Sequence, residues 1–114
     1  MNLSPADITR QYFAASNQAD LKAVETLFQP DATYSSAHTG LYYGITDIMQ
    51  MMGTFFRAHR HLHWRIDELT EVTEHLIEVR FTLQACPQNG DAFERQGTER
   101  LVIDQGLIRH IEIR

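Results

Sequence analysis

The chain has 114 residues, of which 43% are hydrophobic and 22% charged, and it carries a formal net charge of −5. That length fits one domain, residues 1–114, able to bury a core without disulfides or metal. The acidic balance, without clustered cations, argues against nucleic acid as a partner. No window approaches the roughly 18 uninterrupted apolar residues of a membrane span, and Met1–Pro5 lacks the basic start and apolar run of a signal peptide. A cytoplasmic location with no membrane partner is therefore expected. Cys86, the single cysteine, precedes Pro87 at an expected strand end and reads as a small apolar filler.

Ser4-Pro5-Ala6-Asp7 has the form of a helix start: a hydroxyl to cap free N–H groups, proline in the first turn, and an acid three residues on. Leu3 and Ile8 fall at the spacing of a hydrophobic staple. Ile8, Tyr12 and Ala15, with Phe13 beside them, form one apolar stripe that ends near Asn17-Gln18. Asp20 then caps a shorter helix carrying Leu21, Val24, Leu27 and Phe28, halted by Pro30.

A short β-prone piece follows, and Gly40-Leu41-Tyr42-Tyr43-Gly44 turns the chain so that Tyr34, Tyr42 and Tyr43 share one neighbourhood. Thr46-Asp47 offers a third helix start, with Ile48, Met51, Met52, Phe55, Phe56 and His59 in helical period to about Arg60.

From Leu62 the period changes to two. Leu62, Trp64 and Ile66 alternate with His63, Arg65 and Asp67; Ile77, Val79, Phe81, Leu83 and Ala85 form the clearest strand. Pro87–Asp91 is turn chemistry, a third strand runs from about Ala92 to Asp104, and Asp104-Gln105-Gly106 turns it into a last strand from Leu107 to Arg114. The whole reads as α+β, three N-terminal helices on one face of a curved, mainly antiparallel sheet.

Parity marks a site. If Phe93, Leu101 and Ile103 point inward, so do Arg95 and Glu99, two ionisable groups on an otherwise apolar face. Burying both is costly unless they meet each other or a ligand. One outcome is a pocket floor with Glu99 as acid or base and Arg95 or Arg109 binding an anionic or carbonyl oxygen. The others are an internal ion pair, or a bulge near Gly97 that turns one group to water. Tyr12, Tyr34, Tyr42, Tyr43 and Trp64 can wall a small-molecule pocket, joined by Phe55, or can simply pack. His38, in the loop above that wall, is a general base if the loop folds inward and otherwise a surface histidine. His59, His61 and His63 resemble a metal-binding tract, but no carboxylate or cysteine spacing supports a metal and none is assigned. The outward strand residues are polar and mixed, which suits either solvent or a hydrated interface, and the interruptions Leu76, Val102 and Ile108 favour a homodimer.

With the helix hairpin, Leu27-Phe28-Gln29-Pro30-Asp31-Ala32-Thr33-Tyr34, the Gly40-to-Gly44 run, the third helix and the four-strand finish in place, nearly the whole chain resembles the nuclear transport factor 2-like superfamily, its SnoaL-like members in particular. The resemblance implies a cystatin-like cone with a pocket between sheet and helices, and often a homodimer. The superfamily includes ketosteroid isomerases, polyketide cyclases, hydrolases and noncatalytic members, so fold alone does not choose an activity. Ketosteroid isomerase implies an oxyanion tyrosine at Tyr12 and a protonated acid at Glu99. Where its general-base carboxylate sits, after Asp31-Ala32, this chain has Ser35-Ser36, which argues against that reaction. The expectation is a cofactor-independent SnoaL-like domain binding a small lipophilic carbonyl or hydroxyl compound, with Glu99, Tyr12 and His38 as catalytic candidates. The alternative is a noncatalytic binding or dimerisation module.

Overall fold

Residues 3–114 are described by a computed structural model, and its first two helices begin where the caps predict. The Asp7 N–H donates to Ser4 Oγ at 3.1 Å at the head of α1 (Pro5–Asn17). The Ala23 N–H donates to Asp20 Oδ1 at 3.1 Å at the head of α2 (Leu21–Glu25). Both bonds satisfy donors that a helix leaves free at its start. Leu3 is 47% exposed and so does not staple to Ile8.

Phe28, expected in the second helix, instead opens β1 (Phe28–Ser36). The reason is a partner far along the chain: Phe28 pairs with Ile108, whose N–H donates to Leu27 O at 2.7 Å. Pro30 falls where the β1–β6 register slips between Phe28 and Thr33, so its missing N–H breaks no ladder bond. A tight turn leads to β2 (Gly40–Tyr43), then α3 (Ile45–Arg57). Only two helices therefore precede the sheet, not three, because the β1–β2 hairpin intervenes before α3. Gly44 at φ 89 starts α3 without a side-chain cap, so Thr46-Asp47 is not used as one. His59 begins β3 rather than ending the helix.

The strands β3 (His59–Glu71), β4 (Leu76–Pro87), β5 (Phe93–Asp104) and β6 (Leu107–Ile113) form an antiparallel meander, and β1 joins β6 in parallel, giving the order β2-β1-β6-β5-β4-β3. At Gln105 (φ 54) and Gly106 (φ 79) the left-handed backbone makes a two-residue turn matched to the twist of β5 and β6. Helix α1 packs on β3, β4 and β5, and α3 on β1, β2 and β3. Between them lie fully buried Val24, Ile48, Ile77, Val79, Leu101 and Ile111.

Bulges bend the sheet around this core. Asp67 is the extra residue in β3, between the pairs Ile66–Phe81 and Glu68–Arg80. Arg109 is the extra residue in β6, between Val102–His110 and Ile103–Ile108. The second bulge corrects an expectation: Ile108, assigned outward by strict alternation, is completely buried, because one inserted residue lets Ile108 and Ile111 both face the core.

Candidate functional site

Three strands bring the site together in layers. Trp64, Leu83 and Arg95 stand opposite one another across β3, β4 and β5; one step along are Phe81 and Gly97; a further step brings Val79, Glu99 and Ile113 into line. Gly97 matters in the middle layer. A Cβ there would lie 2.6 Å from Phe81 Cζ and 3.0 Å from Arg114 O, so the missing side chain is what lets the Phe81 ring lie across β5. No bulge occurs at Gly97, and the β4–β5 register runs unbroken past it.

Against these layers, α1 supplies Tyr12, Phe13 and Ser16, β1 supplies Tyr34 and Ser36, and α3 supplies Met51, Met52, Phe55 and Phe56. They enclose a cavity of about 80 Å³ that also touches His38, Thr39, Trp64, Arg95 and Glu99. It is graded along its length. Tyr12, Tyr34 and Glu99 at one end are buried, whereas Phe55, Trp64 and Arg95 are partly exposed and His38 is exposed.

Glu99 is 2% exposed, and its Oε2 has no hydrogen-bond partner among the described residues. Burial pushes its carboxyl up from 4.5 to about 8, so it is chiefly a neutral acid at neutral pH, with an O–H to donate. Tyr12 and Tyr34 are held well above the ordinary phenol range, first by burial and next by the Glu99 charge that would face them. Three neutral O–H groups therefore line the closed end, a set of donors suited to an oxygen acceptor in which negative charge develops.

The open end is shaped by aromatic rings. Trp64 lies 6.1 Å from Phe55 and 6.3 Å from Phe56, centroid to centroid. Asn17 fixes its backbone from the end of α1: the Asn17 side chain donates to Trp64 O at 3.0 Å, and the Trp64 N–H donates to Asn17 Oδ1 at 2.7 Å. The Arg95 guanidinium lies over Phe93, 5.2 Å from the ring centroid. Arg95 and Glu99 form no ion pair among the described residues, since four positions along one strand place their Cα atoms about 13 Å apart.

Of the residues singled out from sequence, Tyr12, Tyr34, His38, Phe55, Trp64, Arg95 and Glu99 share this cavity. Tyr42 does not. It lines an adjoining groove against α3, with its ring 6.1 Å from Tyr34 and its hydroxyl donating to Thr39 O at 2.7 Å. Tyr43 is 68% exposed, on the opposite pleat from Tyr42. Arg109 is also excluded: its bulge turns it to solvent beside Asp104, at 3.8 Å. Asn17 was missed. Its spacing from Trp64 is not local, although an amide at a helix end is a signal that it binds backbone. No group of three metal-ligating side chains occurs among the described residues; His59 Nδ1 instead sits 2.8 Å from Phe55 O.

A curved six-stranded sheet wrapped on helices, with a buried acid at the floor of an aromatic cavity, defines an α+β fold of the cystatin-like kind. The chain belongs to the SnoaL-like domain family, whose profile matches residues 9–111. No curated protein matches it. Among solved structures it is similar to a hypothetical protein of ketosteroid isomerase-like fold from Catenulispora acidiphila, in complex with trimethylamine: 17% identity, 98% of this chain and 86% of that one covered, TM-score 0.87. An uncharacterised cystatin-fold protein from Novosphingobium aromaticivorans superposes with TM-score 0.87 at 13% identity, covering 99% of both chains. A candidate polyketide cyclase from Sinorhizobium meliloti reaches 23% identity over 95% of this chain and 94% of that one, with TM-score 0.81. These likenesses establish the fold.

Proposed function

We propose that the cavity binds a small, mostly apolar molecule through one carbonyl or hydroxyl oxygen, received by the Glu99 carboxylic acid and the Tyr12 hydroxyl. The observation that carries this is Glu99 Oε2, buried without a protein partner beside two phenols held in their neutral form. A polar atom left so in a packed interior costs roughly 1–3 kcal/mol, which a ligand oxygen recovers. Turnover at such a site is cofactor-independent proton transfer, in the service of isomerisation, cyclisation or hydration. Glu99 and Tyr12 stabilise the charged oxygen, and His38 is the lining group suited to take a proton.

The test is a thermal-shift screen against steroid-like, terpenoid and polyketide-like compounds, followed by turnover assays on hits, with wild type, Glu99→Gln and Tyr12→Phe compared. Binding and turnover left unchanged by both substitutions would remove the assignment. A noncatalytic binding module is the second reading, favoured by one feature: among the described residues Glu99 is the sole carboxylate lining the cavity, and it is chiefly protonated at neutral pH. Stabilisation that depends on Glu99 with no turnover of any hit selects it. The polar outer face of the sheet is proposed as a homodimer surface, to be checked by sedimentation equilibrium.

A further inference from the structure

The cavity holds a second polar end, and its chemistry differs from the first. Arg95 lines the open end, level with Trp64 and Leu83, while Glu99 lines the closed end on the same face of the same strand. Arg100 sits 2.9 Å from Glu78, and Arg109 3.8 Å from Asp104. Arg95 has no carboxylate in salt-bridge range among the described residues. Its guanidinium carbon lies over the Phe93 ring, 5.2 Å from the centroid, a cation–π contact that steadies the group beside the mouth. A planar fork of donors at the mouth of an apolar cavity matches a carboxylate, which it can grip with two parallel bonds.

We propose that the ligand is bipolar, an apolar hydroxy or oxo acid whose carboxylate meets Arg95 at the mouth and whose hydroxyl or carbonyl oxygen lies at Glu99 and Tyr12. The roughly 13 Å between the two backbone positions sets the span between its polar ends at about one ring plus a short chain, with the acid end projecting from the roughly 80 Å³ cavity through the mouth. The middle, where the Phe81 ring lies across Gly97, accepts the apolar body. Arg95 is then the specificity-determining residue for the acid group. The floor half of this inference rests on the proposed function, whereas the mouth half does not.

Three probes separate the halves: para-hydroxyphenylpropionate, its methyl ester, and phenylpropionate, each titrated by calorimetry at neutral pH. Wild type should bind the acid about tenfold more tightly than the ester, as one partly exposed charge-assisted contact gives. Arg95→Gln should bring that ratio close to one by weakening the acid more than the ester, and Arg95→Lys should restore part of it. An acid-to-ester ratio near one in wild type, or one untouched by Arg95→Gln, overturns the assignment of Arg95. So does failure of all three probes to bind. The hydroxyl preference, para-hydroxyphenylpropionate over phenylpropionate, should vanish in Glu99→Leu, which keeps the bulk and removes every donor and acceptor. Its absence with the Arg95 ratio intact would reject the floor reading and leave the mouth standing.

Discussion

Replacing Glu99 by glutamine keeps the side chain's shape and removes its titration, and the consequence for stability is large enough to measure. The carboxyl titrates at about 8 in the folded chain because burial penalises its anion, against an ordinary value of 4.5. Between those values the folded state holds a proton that the unfolded state has lost. The contribution of Glu99 to stability is therefore complete below about pH 4.5 and is lost as pH rises to about 8. The loss is about 1.4 kcal/mol per pH unit, or roughly 4 kcal/mol between pH 5 and pH 8. Against a total of about 5–15 kcal/mol for a small domain, that is a substantial fraction. Urea unfolding of wild type and Glu99→Gln at one-unit steps across this range isolates the effect, since every other titrating group cancels in the difference. The variant should gain on wild type steadily as pH rises and level off above about pH 8. Parallel curves for the two proteins would mean that Glu99 ionises freely where it stands, and the proposal of an acid donor at the cavity floor would fall with them.

Gly97→Ala should cost about 1–3 kcal/mol in chemical denaturation, because its Cβ would meet Phe81 Cζ at 2.6 Å, and Phe81→Leu should be less harmful in that background than alone. Asn17→Ala leaves the Trp64 N–H and carbonyl without their partner, so a loss of about 1–3 kcal/mol and a shifted tryptophan emission maximum are expected; an unchanged spectrum would argue that the indole is held by Phe55 and Phe56 alone. Gln105→Asn suits the φ of 54 at that turn position and should raise stability by about 0.5 kcal/mol, read as a small upward shift in thermal midpoint.

Local rules written in the chain determined much of this protein. Ser4 and Asp20 cap helices because a side-chain oxygen three residues ahead of a free N–H is a local geometry. The alternation from Leu62 onward made strands, and parity alone placed Arg95 and Glu99 on the same inner face as Leu101 and Ile103. What depended on distant partners could not be read in this way. Phe28 left the helix for a strand because Ile108 was there to pair with it, and Ile108 turned inward because one extra residue at Arg109 reset the pleat. Tyr43 and Arg109 carried chemistry suited to a pocket, yet the pleat and the bulge sent them to solvent. Above all, the protonation of Glu99 belongs to tertiary structure. A carboxyl keeps its ordinary acidity wherever water can reach it, and only the assembly of α1, α3, β1 and the sheet around this one excludes water while withholding a countercharge.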